Sequence, residues 1–207
     1  MGKVVGVTKE CSKVTIMPKG YIYTTKTGYD PERGKAIKDP FLGDQPTLGA
    51  CMPNIRRQVV QGDHIFIVSG KVKDTPQFVI AGFEVEDKIN ALLAFDLYPQ
   101  HRLRQLDNGE IIGNIIITPE GRQHPLDTHD PSTFARRIQN YVTGRNALVL
   151  NSPREIQSGR EDTSYVLSYI LGKKGRTPYD IYGRCKKVDD RQIRELRDWL
   201  ASIKAGH

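Results

Sequence analysis

An α+β fold is the class this sequence predicts, on three observations. Short runs rich in β-branched and aromatic residues mark strands. Capped runs with apolar residues three and four apart mark helices. The two kinds of element follow each other out of strict alternation, so a repeated βαβ layout does not account for them.

Taken in order, residues 1–19 read as an N-terminal arm, and Tyr21–Thr25 has the composition of a strand. Residues 28–49 carry so many prolines and glycines that they must be mostly loop. A short helix fits Pro53–Val60, because proline is tolerated in a first turn and Ile55 and Val59 lie four apart. That spacing sends both inward, with Arg57 roughly opposite and Arg56 to one side. His64–Val68 and Phe78–Val85 read as strands joined by the polar loop SGKVKDTPQ; Val79, Ala81, Phe83 and Val85 share one face of the second. Asp87–Phe95 reads as a helix with an Asp cap, Ile111–Thr118 as a strand, and Ser132–Val142 as a helix capped by Asp130. Ala147–Leu150 is a short apolar strand. Glu161–Leu171 is helical, with Tyr165, Leu167, Tyr169, Ile170 and Leu171 filling one side. The clearest helix is the last: Asp189 caps it, Gln192 stands three residues on, and Ile193, Leu196, Trp199, Leu200 and Ile203 trace a packing stripe.

The chain has 207 residues and a formal charge of +7, a balance that favours partners bearing phosphates. Cys11, Cys51 and Cys185 are widely separated and form no CxxC pair, which fits a reducing compartment better than a zinc site or disulfide framework. MGKVVGVTKECSK lacks the apolar core of a signal peptide, and no apolar run approaches the length of a membrane span. A cytoplasmic protein with no membrane partner is expected. No Walker loop, GxSxG, HExxH or dinucleotide fingerprint occurs, so no cofactor is expected.

Four stretches carry candidate chemistry. In PTLGACMPNIRRQVVQGDHIFIVSG, Arg56 and Arg57 form either a solvated surface pair or an anion cradle beside a turn and helix start. Just upstream, Tyr23, Thr24, Thr25, Lys26, Thr27 and Tyr29 combine rings with hydroxyl and ammonium groups, the kit needed to stack a base and bond its edge; an ordinary edge strand is the alternative. Residues 173–187 hold six basic groups and one acid, with Tyr179 and Tyr182 interleaved. That cluster is either a mobile solvated loop or a surface that follows a phosphate backbone. Finally, HPLDTHD gathers His124, Asp127, His129 and Asp130, which are metal-competent, although the prolines make the segment loop and exclude helical i,i+4 ligation. Cys51 is a candidate thiol, activated or buried and inert.

The order Thr27-Gly28-Tyr29-Asp30-Pro31, Asp39-Pro40-Phe41, Thr47-Leu48-Gly49-Ala50-Cys51-Met52-Pro53-Asn54-Ile55-Arg56-Arg57, then Gly62-Asp63 resembles the nucleotide modification associated domain 2 family. The resemblance spans about residues 21–86; Met52 and His64 depart from it, standing where that pattern has a basic residue and an aromatic. It implies a PUA-like, partly open β-barrel of the PUA/ASCH/EVE group, with flanking helices and the C-terminal helix packed against it. The arm would be 1–19 and the PUA-like domain 20–207, with the barrel core over about 20–150 and a helical elaboration over 151–207. The function it implies is a module that binds a nucleotide or modified base in nucleic acid, in DNA base modification or phage-defence systems. Tyr23 or Tyr29 would stack, Thr25, Lys26 and Thr27 would touch base edge or sugar, and Arg56 and Arg57 would hold phosphate. Lys173, Lys174, Arg176, Arg184, Lys186 and Lys187 would grip the backbone. The rival reading is an enzyme acting on nucleotides or nucleic acid by metal-assisted hydrolysis through His124, Asp127 and His129. A third is an interaction module that uses the last helix. Oligomeric state is left open.

Overall fold

A computed structural model describes residues 18–206; the expected N-terminal arm, apart from Pro18 and Lys19, and Cys11 lie outside the described residues. Among the described residues there are eight strands: β1 (Gly20–Gly28), β2 (Thr47–Leu48), β3 (His64–Gly70), β4 (Val79–Ile89), β5 (Arg104–Gln105), β6 (Ile111–Ile112), β7 (Tyr141–Val149) and β8 (Cys185–Val188). The helices are α1 (Pro53–Gln58), α2 (Ala91–Leu97), α3 (Phe134–Ile138), α4 (Pro153–Leu171), α5 (Pro178–Tyr182) and α6 (Asp190–Ala205). The fold is α+β: a curled, half-barrel sheet of six strands in the order β2-β7-β4-β3-β1-β8, flanked by helices, with β5 and β6 forming a separate pair. No helix among the described residues is long and apolar enough to cross a membrane.

The strands form where β-branched and aromatic residues cluster, and register breaks curl them. The β3–β4 ladder shifts at Ile67/Val68, and the β4–β7 ladder shifts at Gly82/Glu84 and again at Val85/Asp87. Such irregularities add local twist and bend a sheet towards closure. Among these eight strands β1 and β3 pair in parallel and the other pairs are antiparallel. As a result β1 and β3 bring their C-terminal ends to the same edge of the sheet, at Gly28 opposite Gly70.

Both faces of the sheet are covered, so β3 is apolar along its length rather than alternating, with Ile65, Phe66, Ile67 and Val68 all buried. On one face α6 lies over Phe66 and Gly82, where an added Cβ would press on Leu200. Gly159 likewise lets α4 close onto Phe78 and Leu150. The opposite face meets α1 and the loop before it: the Tyr21 hydroxyl donates to Gln58 Oε1 at 3.1 Å, and Phe83 lies against Gly144 and Pro46. A smaller apolar cluster of Ala91, Ala94, Ile115, Ile117 and Tyr141 seats α2.

Several sequence expectations are corrected. Asp87–Ile89 extends β4 instead of opening a helix; Asn90 is the cap of α2, accepting from the Leu93 N–H at 2.9 Å. The expected strand Ile111–Thr118 forms a ladder only at Ile111–Ile112; beyond it Ile115 and Ile117 make single bridges, to Arg102 and Gln123. The helix expected over Ser132–Val142 ends at Ile138, because Tyr141 and Val142 already belong to β7, paired with Ile89 and Lys88. α4 begins earlier, at Pro153, behind a Ser152–Glu155 capping box. Tyr165 and Tyr169 do not fill the core side with Leu167 and Ile170: they point outward, roughly 200° around the helix from residue 167 in the case of Tyr165. α5 and β8 occupy the stretch weighed as a mobile loop.

Candidate functional site

Arg56 is the largest fully buried side chain, at 0% exposure. Its Nε donates to Cys51 O at 2.8 Å, Nη2 to Ala50 O at 3.0 Å, and Nη1 to Arg137 O at 3.0 Å and to Asn140 O. Arg137 adds a second bond to Ala50 O at 2.8 Å. From the other side the Asp39 carboxylate accepts from the N–H groups of Gly49 and Ala50, each at 2.8 Å, and from that of Cys51. The turn before α1 is thus gripped by a carboxylate on its N–H groups and two guanidiniums on its carbonyls. Burial pulls the Arg56 pKa down to about 10, so the group stays charged at neutral pH. With four N–H bonds spent on carbonyls, Arg56 has no fork to offer a phosphate. The expectation that it holds one is corrected: it is an internal brace.

Tyr23 is corrected in the same way. It is 1% exposed, on the sheet face that meets α1, and its hydroxyl has no hydrogen-bond partner among the described residues. Burial first, and then Asp39 and Cys51, push its phenol well above the ordinary value. It offers no ring to an incoming base. Cys51 is not an activated thiol, since burial and the Asp39 carboxylate push its pKa strongly up. In HPLDTHD, Asp127 is a turn hub: it takes His129 Nδ1 at 2.6 Å and Gln123 Nε2 at 2.8 Å, while His124 Nδ1 accepts from the Leu126 N–H at 3.1 Å. Among the described residues no three or more His, Cys, Asp or Glu side chains stand together to hold a metal, which corrects the metal reading of His124, Asp127 and His129.

Of the remaining candidates, Thr25, Lys26, Thr27 and Tyr29 fall at the sheet edge where β1 and β3 end. Lys26 and Thr27 are exposed there, and Thr25 is buried, donating to Thr27 O at 2.7 Å and accepting from the Gly70 N–H at 2.8 Å. Tyr29 is half-buried, tilted against Phe78 with ring centroids 6.0 Å apart. Arg57 is exposed elsewhere, its carbonyl taking Lys88 Nζ at 3.2 Å. Lys173, Lys174, Arg176, Arg184 and Lys187 are exposed, and Lys186 is half-buried opposite Ile22 in β8.

Two adjoining hollows open at this edge. One, of about 480 Å³, lies between loop 71–77 and the α4–α5 shoulder, and its lining includes Lys71, Lys73, Gln77, Ser164, Arg176 and Thr177. The second, of about 400 Å³, shares Lys71, Gln77 and Thr177 and adds Thr24, Tyr179 and Asp180. Glycines make the edge possible. A Cβ on Gly70 would sit 2.5 Å from Thr27 O and 2.7 Å from Thr25 O, and one on Gly28 would sit 2.8 Å from Lys71 O. The walls are braced: Arg33 Nη1 donates to Lys73 O at 3.1 Å, and the Thr24 and Tyr182 hydroxyls bond at 2.6 Å. Asp180 is spent on capping α5, its carboxylate taking the Thr177 N–H at 2.9 Å and hydroxyl at 2.8 Å, bonds that hold its pKa low. Along the two hollows Lys71, Lys73 and Arg176 outnumber the acids Asp74 and Asp180, and Tyr179 stands 66% exposed beside them.

Sequence reasoning passed over Lys71, Lys73, Gln77 and Thr177. The available signals were two lysines in the hairpin loop and the Thr-Pro-Tyr-Asp capping pattern of 177–180. Neither says that the two segments meet. No protein-family model matches the chain, and no match was found among curated proteins or among solved structures.

Proposed function

We propose that the protein binds nucleic acid, taking a nucleotide base, plain or modified, in the paired hollows and carrying out no chemistry of its own. The observation that supports this best is the company Tyr179 keeps. An exposed ring borders a hollow lined by Thr24, Gln77 and Thr177, with Lys71, Lys73 and Arg176 close by. A splayed base asks for a stacking face, hydrogen-bonding groups for its edge and cations for its phosphate. Lys26 and Thr27, on the same rim, keep the edge- and sugar-contacting roles expected of them. Lys173, Lys174, Arg184, Lys186 and Lys187 extend the positive surface. Kinship with the nucleotide modification associated domain 2 family and the PUA-like barrels is part of the proposal, supported by the curled half-barrel sheet. So is a cytoplasmic setting, in keeping with the free thiols of Cys51 and Cys185.

The test is a binding panel of mononucleotides and oligonucleotides, plain and base-modified, at low and moderate salt. The expected result is binding that weakens as salt rises and drops about tenfold or more in Tyr179→Ala, the loss of one stacked base. Lys71→Ala should weaken every ligand alike and flatten the salt dependence. Binding indifferent to Tyr179 and to Lys71 would remove the hollows from consideration.

A further inference from the structure

Tyr165, Tyr169 and Tyr179 are 76%, 73% and 66% exposed, unusually bare for a residue type that is normally half sheltered. Tyr165 and Tyr169 are four apart on α4, directly after Ser164, which lines the larger hollow and donates to Arg176 O at 3.3 Å. The outer face of α4 therefore adjoins the shoulder that carries Arg176 and Tyr179. Beyond the helix end lie Lys173 and Lys174, both exposed. Towards its start the same face turns acidic, with Glu161 and Asp162 exposed.

Residues four apart rise by about 6 Å along a helix axis. That is roughly twice the 3.4 Å separation of stacked bases, so one base fits between the two rings. A duplex cannot use this, because its base faces are already covered by their neighbours. A single strand can, since every unstacked base has a free face and stacking is tolerant of sequence.

We propose that the ligand is a single strand of several nucleotides. It runs from the hollows past Tyr179 and over the α4 shoulder, with bases against Tyr169 and Tyr165 and phosphates against Lys173, Lys174 and Arg176. The acids at Glu161 and Asp162 set the limit of the path. The proposal rests on the base-binding reading of the hollows but adds a second, separable surface.

The experiment is fluorescence anisotropy with thymidine monophosphate, oligo-dT and oligo-U strands of up to about twelve nucleotides, within the range of single-strand site sizes, and a duplex of matching length. Affinity should rise with strand length, and the duplex should bind more weakly than the single strand. The double variant Tyr165→Ala/Tyr169→Ala should lose about tenfold or more on the long strand, leave the mononucleotide unchanged, and be rescued by Phe at both positions. Either strand chemistry showing that pattern supports the proposal, and the tighter one names the sugar. Long-strand binding unaffected by the double variant, or a duplex held as tightly as the single strand, overturns it. Failure of the hollows looks different: no mononucleotide binding and no effect of Tyr179→Ala, with the long strand still responding to Tyr165 and Tyr169.

Discussion

Arg56 shows how one side chain can organise a turn from inside. Its guanidinium is planar, so four directed bonds to Ala50, Cys51, Arg137 and Asn140 carbonyls leave in fixed directions. A lysine ammonium carries three donors and no fork, and its shorter reach would strand carbonyls in a site closed to bulk solvent. Arg56→Lys should therefore cost about 2–4 kcal/mol, read as a shift in urea midpoint at unchanged m-value. Arg57→Ala, on the exposed side of the same helix, should stay within about 0.5 kcal/mol of the parent. Equal stability of Arg56→Lys and the parent would show that the brace is dispensable. Asp39 belongs to the same construction, since its carboxylate satisfies the N–H groups that the guanidiniums leave untouched.

At the scale of elements, the parallel pairing of β1 with β3 decides where the hollows open. Two antiparallel neighbours would end at opposite edges; these two end together, with Gly28 facing Gly70 across a space that admits no Cβ. Gly70→Ala would drive its methyl into the carbonyls of Thr25 and Thr27, which are backbone atoms and cannot swing aside. The expected cost is about 1–3 kcal/mol, the usual range for overpacking, together with weakened binding as Lys26 and Lys71 move apart. Thermal unfolding and oligonucleotide binding of the same variant check both halves. α4 contributes through its two faces: Leu167 and Ile170 are buried, and the side that carries Tyr165 and Tyr169 remains bare.

The whole molecule should respond to acid through its sheltered histidines. Burial, then the Arg104 charge, lowers the His101 pKa below its ordinary value; burial, then Arg197, does the same to His64. A lowered histidine pKa means that the unfolded chain takes up protons first as pH falls. Stability is therefore full above about 6.5, the ordinary value, and declines as pH drops towards the folded values. His101 also meets the Tyr141 hydroxyl at 3.0 Å, and that hydroxyl donates to Asn114 Oδ1 at 2.9 Å, so His101 supplies the proton between them. His101→Asn should lower stability at neutral pH and flatten its decline below 6.5, measured as melting temperature against pH. An unchanged slope would show that His101 does not drive the acid response.

Local order in the chain was enough to determine the strands at 64–68 and 78–85, the capped final helix with its buried stripe, and the α+β class. Each rests on residues within a turn or two of one another, where periodicity and capping act. Tertiary structure alone decided the rest. Arg56 is buried because carbonyls 81 and 84 residues away close over it, and a short helix cannot tell that from exposure on residue spacing. Tyr141 and Val142 joined β7 because β4 offered them a ladder. The hollows exist because loop 71–77 meets residues 176–180, and contacts between distant segments are set by how the sheet curls, which no local pattern records.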